Sequence, residues 1–338
     1  MSFANTSLFA ALPVPYTGPD GSEFVIAVVK ATFFRRATGR LVLADEQGSI
    51  RPGDVPYFPD APRESSVRYP SDICTAKRGT DLVIVGEAVS TRPVEAVDVA
   101  VRVRDRNVCL RVHGERVFYR GGRGITIGPA APFERKPIVW ERAYGGASSD
   151  HALVERRNPV GRGVAHDPND LLDRPAPQIE DPAAPITGAS DRPEPVGFGA
   201  VGPHWLPRCA CAGTFDDAWR THRMPLLPAD FDIRFNNVAP QPLQFDAPLV
   251  AGERIALLGM HPDGVWQVEL PRVPMRIAAR LHDGRRIDVR PHVDTVLLEP
   301  GKDEVQLTLR YAFAVGRGKS LLREIRIDEH AANDTEAA

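Results

Sequence analysis

Apolar and polar residues alternate at the two ends of this chain and lose that alternation in its middle. Residues 24–34 are rich in β-branched and aromatic side chains, and a second apolar run over 81–89 follows a break at Gly79 and Thr80. Val97, Val99, Val101 and Val103 alternate with Asp98, Ala100, Arg102 and Arg104. That period of two puts the valines on one sheet face and the charges on the other. Asp105, Arg106 and Asn107 predict a turn, after which Val108, Leu110 and Val112 resume the alternation, so the stretch reads as a hairpin. In the last zone, runs over 275–281 and 286–290 flank His282-Asp283-Gly284-Arg285, a second hairpin signal. Val305, Leu307, Leu309 and Tyr311 then alternate with Gln306, Thr308 and Arg310, and residues 331–338 read as a frayed tail.

The middle of the chain, 126–250, holds 18 of the 32 prolines. Proline donates no ladder hydrogen bond and biases the residue before it away from helix, so long regular elements are not expected there. The zone also carries Trp140, Tyr144, Trp205, Trp219, Phe231 and Phe235, a density that implies loops packed onto something. Residues 167–195 have few aromatics and are the expected mobile loop. One short helix is predicted, with Thr214 as its cap, Asp216 and Asp217 at its positive start and Pro225 beyond its end. The predicted fold is mainly β, with antiparallel sheets forming one or two sandwich-like units, a long irregular Pro/Gly-rich region and little helix. Three regions follow: an N-terminal β region over 1–125, a loop-rich region packed on the sheets over 126–250, and a C-terminal β region over 251–330. They can equally form one continuous domain.

Composition narrows the function classes. The chain has 338 residues and a formal net charge of -2, so no basic excess points to nucleic acid. No apolar run approaches the roughly 18 residues of a membrane span. The residues 8–12 are too short an apolar run for a signal peptide. A cytoplasmic protein is expected. Four cysteines do not make a disulfide scaffold in a chain this long, and Cys109, in a strand pattern, reads as a small core residue.

Candidate chemistry sits in the middle zone. Gly197, Gly199 and Gly202 match G-x-G-x-x-G, but Pro195 and Pro203 flank them where a dinucleotide site needs a strand and a helix, so the segment reads as a loop. Cys209 and Cys211, with His204 and His222, are four possible zinc ligands at an unusually tight C-x-C spacing; chance proximity in a loop is the favoured reading. Asp216, Asp217, Asp230 and Asp232, with Glu141 upstream, could serve general acid–base chemistry, the obvious form being a β-rich glycosidase using Glu141 and Asp230 or Asp232. The alternative is that they cap turns and pair with Arg208, Arg220, Arg223 and Arg234. Trp140, Arg142, Tyr144, Trp205, Arg208, Trp219 and Arg223 are residue types that dominate protein interfaces.

The ordered motifs resemble a known family. Trp140-Glu141-Arg142-Ala143-Tyr144-Gly145-Gly146 resembles the E-R-A-[FY]-G-G signature of the bacterial domain of unknown function 2169. Asn158-Pro159-Val160-Gly161-Arg162-Gly163 is similar to its N-P-x-G-x-G motif, and 195–199 followed by Trp205-Leu206-Pro207-Arg208 to P-x-G-F-G and W-x-P-R. Gly213-Thr214-Phe215-Asp216 with Trp219 and Arg223, then Pro228-Ala229-Asp230-Phe231-Asp232, continue the pattern. Asn237, Ala239-Pro240 and Gln244 follow, with Asp72, Lys77 and Thr80-Asp81 upstream and Gly252-Glu253, Leu270-Pro271 and Val293-Asp294-Thr295 downstream. Trp140 stands where a tyrosine is common, and Cys209 and Cys211 lie outside the pattern.

The resemblance spans about residues 20–315. It implies a non-enzymatic adaptor or chaperone that binds a type VI secretion effector toxin and helps load it onto the spike, a valine–glycine-repeat protein with a tip of proline–alanine–alanine–arginine repeats. It brings no catalytic residues, no cofactor and no metal. A structural part of the secretion machine is a further alternative. The residues expected to form partner-binding or motif loops are Trp140, Glu141, Arg142, Tyr144, Gly145, Gly146, Asn158, Gly161, Trp205, Arg208, Thr214, Asp216, Trp219, Arg223, Asp230, Phe231 and Asp232. Among them Glu141 and Arg142 are expected to brace the loops by pairing with Arg208, Asp216 or Asp230, and Trp205 to be a surface aromatic.

Overall fold

The β-branched run predicted over 24–34 is the Glu23–Arg35 strand, and it is the longest strand of the largest sheet in the computed structural model, which describes residues 1–122 and 124–329. That sheet has seven strands. Glu23–Arg35 pairs on one side with Glu304–Ala314 and on the other with Ala10–Thr17 and Leu41–Leu43. Beyond Glu304–Ala314 come Val293–Glu299, Thr80–Ile84 and Gln244–Phe245. All these pairings are antiparallel except Val293–Glu299 with Thr80–Ile84. A five-stranded sheet runs Ile179–Glu180, Arg106–His113, Ala96–Val103, Arg254–Leu258, Val265–Glu269. A four-stranded sheet runs Ser2–Asn5, Leu322–Glu329, Met275–Leu281, Arg286–Val289.

The period of two places the core. Ala27, Val29, Ala31 and Phe33 from the large sheet, Val99, Val101, Val103, Ile255, Leu257 and Trp266 from the second, and Ile277, Ala279, Ile325 and Ile327 from the third belong to one apolar cluster. Ile138, Ala143, Ile179, Phe198 and Val238 bring the middle of the chain into it. Fully burying one such side chain is worth about 1.5–3 kcal/mol, so this shared cluster is the main source of stability. The chain is mainly β with antiparallel sheets and a single α-helix among the described residues, as its patterning predicts.

Several local expectations change. The first hairpin reverses at Arg104 and Asp105, with Arg104 at φ 53°, rather than over 105–107. The run over 81–89 is broken at Val85 and Gly86 into Thr80–Ile84 and the start of Glu87–Val94. Cys109 is not a core residue: it shares its face with Arg111, while Leu110 and Val112 point inward. Residues 167–195 are not a loose loop. Ile179–Glu180 adds the edge strand of the five-stranded sheet, and Leu171, Ala176, Ile186 and Ala189 are buried. Small and aliphatic side chains do there what aromatics were expected to do. Residues 331–338 lie outside the described residues.

Candidate functional site

The motif loops divide into a buried frame and an exposed lobe. The frame begins at the 3-10 turn Trp140–Arg142 and the short strand Tyr144–Gly145, which pairs in parallel with Arg162–Gly163. Asn158 is fully buried at its centre, donating from Nδ2 to the carbonyls of Trp140 (2.8 Å) and Tyr144 (2.9 Å). Gly146 has φ 88°, and a Cβ there would strike the carbonyl of Gly161; only glycine meets both demands. Trp140 and Trp205 pack edge to face with centroids 5.8 Å apart, 5% and 7% exposed. Gly197 and Gly202 explain the G-x-G-x-x-G match: a Cβ would lie 3.0 Å from the Trp140 ring and 2.9 Å from Trp205 Nε1. These glycines admit two indoles, and Trp205 is a core residue rather than a surface one.

Glu141 does not pair with Arg208, Asp216 or Asp230. Its carboxylate accepts from the Ser66 N–H (2.6 Å) and hydroxyl (2.8 Å). Arg142 donates to Glu115 (2.9 Å) and Gln178 (2.7 Å), and Lys136 also binds Glu115 (2.8 Å). Burial opposes the Glu115 charge, but the hydrogen bonds from Lys136 and Arg142 prevail and hold this carboxyl at about 2. Arg208 reaches the carbonyls of Val201 and Phe235, both at 2.8 Å, and stacks on the Phe235 ring. Partners in this region come from distant segments because the proline-rich backbone has few ladder bonds to offer.

Other motif residues meet in a buried ionic layer on the large sheet. Lys30 pairs with Asp72, which also accepts from the Arg51 N–H (2.7 Å). Burial pulls the Lys30 ammonium down to about 8, with Asp72 opposing. Lys77 pairs with Asp81 (2.7 Å), and Asp81 accepts from Asn237 Nδ2 (3.0 Å) and the Val238 N–H (2.7 Å). Arg310 pairs with Asp294 (3.1 Å) and touches Cys74 Sγ. Burial pushes the Asp294 carboxyl up, Arg310 opposing. Sequence patterning missed Lys30 and Arg310 because each occupies one position in an otherwise ordinary strand. Lys30 does carry a signal, a basic residue in register with Ile26 and Val28, whereas Arg310 follows Gln306 and Thr308 on the polar side of its alternation and carries none.

The lobe spans 213–236. Thr214 donates its N–H (2.9 Å) and hydroxyl (2.8 Å) to Asp230, so Thr214 is not the helix cap; Asp216 is, accepting from the Trp219 N–H at 2.8 Å at the head of Asp217–His222. Trp219 donates to the carbonyl of Leu226 (2.8 Å) and meets Phe215 edge to face at 4.8 Å. Arg223 ties the lobe to Pro19 through that carbonyl (2.6 Å). Phe231 packs against Phe235, and Asp232 pairs with Arg234. Phe215, Met224 and Ile233 are 54%, 62% and 42% exposed. Hydrogen bonds from Thr214 lower the Asp230 carboxyl, and bonds from Arg234 lower Asp232. A general acid at neutral pH needs the opposite shift.

Cys209 and Cys211 are free thiols on the 3-10 turn Arg208–Cys211. Among the described residues no group of three or more His, Cys, Asp or Glu is arranged to hold a metal ion. No helix among them is long and apolar enough to cross a membrane. The family model described as an uncharacterized protein conserved in bacteria (DUF2169) matches residues 20–310. No curated protein and no solved structure matches the chain.

Proposed function

The chain belongs to the bacterial DUF2169 family, and from that premise we propose that it is a non-catalytic cytoplasmic adaptor, binding a type VI secretion effector and helping to load it onto the spike. The observation that carries the reading is the lobe. Phe215 and Met224 lie exposed beside Trp219, on a segment braced by the Thr214–Asp230, Asp216–Trp219 and Trp219–Leu226 hydrogen bonds. Aromatic and methionine side chains held at a surface are the composition of an interface hot spot. A capped, internally bonded lobe loses little entropy on docking, which favours binding. The charged rim of Asp216, Asp217, Arg220 and His222 suits a contact that must later release.

The test is co-purification with the proteins encoded beside the gene. Effector or spike protein, or both together, should be retained by the wild-type chain and lost with the double variant F215A/M224A, whose melting temperature should not change. Retention of neither partner by the wild type overturns the proposal. A hydrolytic activity that disappears with E141Q in a folded protein, while F215A/M224A leaves it intact, would replace the adaptor with the enzyme.

A further inference from the structure

A cleft of about 470 Å³ opens beside the ribbon formed by Val55–Pro56 and Val67–Tyr69. Its walls include Tyr57, Phe58, Val85, Val139 and Met260, with Arg68 among them. The other charges along it are matched. Arg135 pairs with Glu87 (3.5 Å), Lys302 with Glu299 (3.0 Å) and Arg142 with Glu115 (2.9 Å). Arg68 is different: among the described residues its guanidinium makes no ion pair, and its Nε is enclosed without an acceptor. It is held by stacking alone, 5.0 Å from the Tyr69 ring centroid and 5.8 Å from that of Tyr57. The Tyr57 hydroxyl is likewise enclosed without a partner. Burial pushes its phenol up, with Arg68 opposing, so the hydroxyl stays protonated and can donate. Glu141 and Glu299 act on Tyr57 through space, but Glu141 is engaged by Ser66, and Glu299 by Tyr69 and Lys302.

Two donors without acceptors in one largely apolar cleft are costly in the free protein. A carboxylate answers both, since a guanidinium fork matches its two oxygens. We propose that this cleft captures the C-terminal carboxylate of a bound polypeptide, with Arg68 as its charged partner, Tyr57 as a second donor, and Val85, Val139 and Met260 around the terminal apolar side chain. A chain end carries carboxylate and last side chain on one Cα, so both enter a cleft this small. An internal acidic residue must bring its backbone in and out again. The inference rests on the adaptor reading for the identity of that polypeptide, the effector or the spike.

The probe is a mixture of fluorescein-labelled hexapeptides ending in leucine, valine or phenylalanine, as free acids and as C-terminal amides, with a third set amidated and carrying an internal glutamate. Fluorescence polarisation should show saturable binding of the free acids alone. Arg68→Gln should weaken it at least about tenfold. Tyr57→Phe loses no internal hydrogen bond, so it should fold as the wild type does and still bind more weakly. Equal binding of the amides, preference for the internal glutamate, no saturation at millimolar peptide, or undiminished binding by Arg68→Gln each overturns the assignment. Effector co-purification is measured in parallel. If the effector is retained while free acids fail to bind, the cleft falls and the adaptor stands. If free acids bind through Arg68 but no partner is retained, the adaptor falls and the cleft stands.

Discussion

Glu141, expected to brace the motif loops, and Trp205, expected at the surface, both turn inward, each to a different partner. Glu141 holds the N–H and hydroxyl of Ser66, a residue 75 positions away. Removing it strips a buried N–H of a charged acceptor, a loss of about 1.5–3 kcal/mol. Glu141→Ala should therefore lower the denaturant midpoint and leave effector co-purification of the folded fraction unchanged. Trp205 fills the space against Trp140 and Val201. Trp205→Ala should cost about 3–5 kcal/mol as a large-to-small core change, measured by the same unfolding curve. Retained stability with lost partner binding would return Trp205 to the surface role its residue type first indicated. Residue type alone does not separate the two roles, because an indole that buries well in a core also anchors an interface.

The lobe shows what a short element needs. Its helix has six residues, far below the length at which a helix is stable alone. The Thr214–Asp230 and Asp216–Trp219 bonds close it into a unit, and Arg223 fastens it to Pro19. Asp230→Ala should open this unit locally. Hydrogen exchange over 213–232 should quicken while the global melting temperature stays put, since locally opening segments draw little on the main core. If exchange there is unaltered, Asp230 does not hold the lobe. The helix and its acidic start were legible in the sequence, but its cap was displaced from Thr214 to Asp216 because Thr214 is occupied by Asp230.

For the whole molecule, the ionic layer is the unusual feature. Lys30 and Asp72 are both buried, and removing one leaves the other uncompensated, which costs about 3–5 kcal/mol. Asp72→Ala should be strongly destabilising, and the double variant Lys30→Met with Asp72→Leu should recover much of that loss in a denaturant titration. Failure of the double variant to recover any would show that Asp72 acts mainly through the Arg51 N–H and Thr308. A second whole-molecule signature lies in acid. Burial opposes the charge of Glu180, yet hydrogen bonds from His113 and Arg116 prevail and hold it at about 2. The unfolded carboxyl, ordinarily at 4.5, takes up its proton first. The stability this group contributes is therefore present above pH 4.5 and lost as pH falls toward 2. Glu180→Gln should flatten the pH dependence of the unfolding free energy across that window; an unchanged slope would mean the acid response comes from other carboxylates.

The alternation of Val97 to Val103, of Val108 to Val112 and of Val305 to Tyr311 by itself determined the sheets, since side chains two apart must share a face whatever the strand pairs with. Prolines determined equally locally that the middle would be irregular. Motif order alone marked the family. Only the tertiary structure decided which polar residues are framework: that Glu141 answers Ser66, that Lys30 answers Asp72, and that the Arg68 Nε and the Tyr57 hydroxyl meet no hydrogen-bond partner among the described residues. Burial and partnership depend on segments that meet across tens to hundreds of positions, and no local period carries that information.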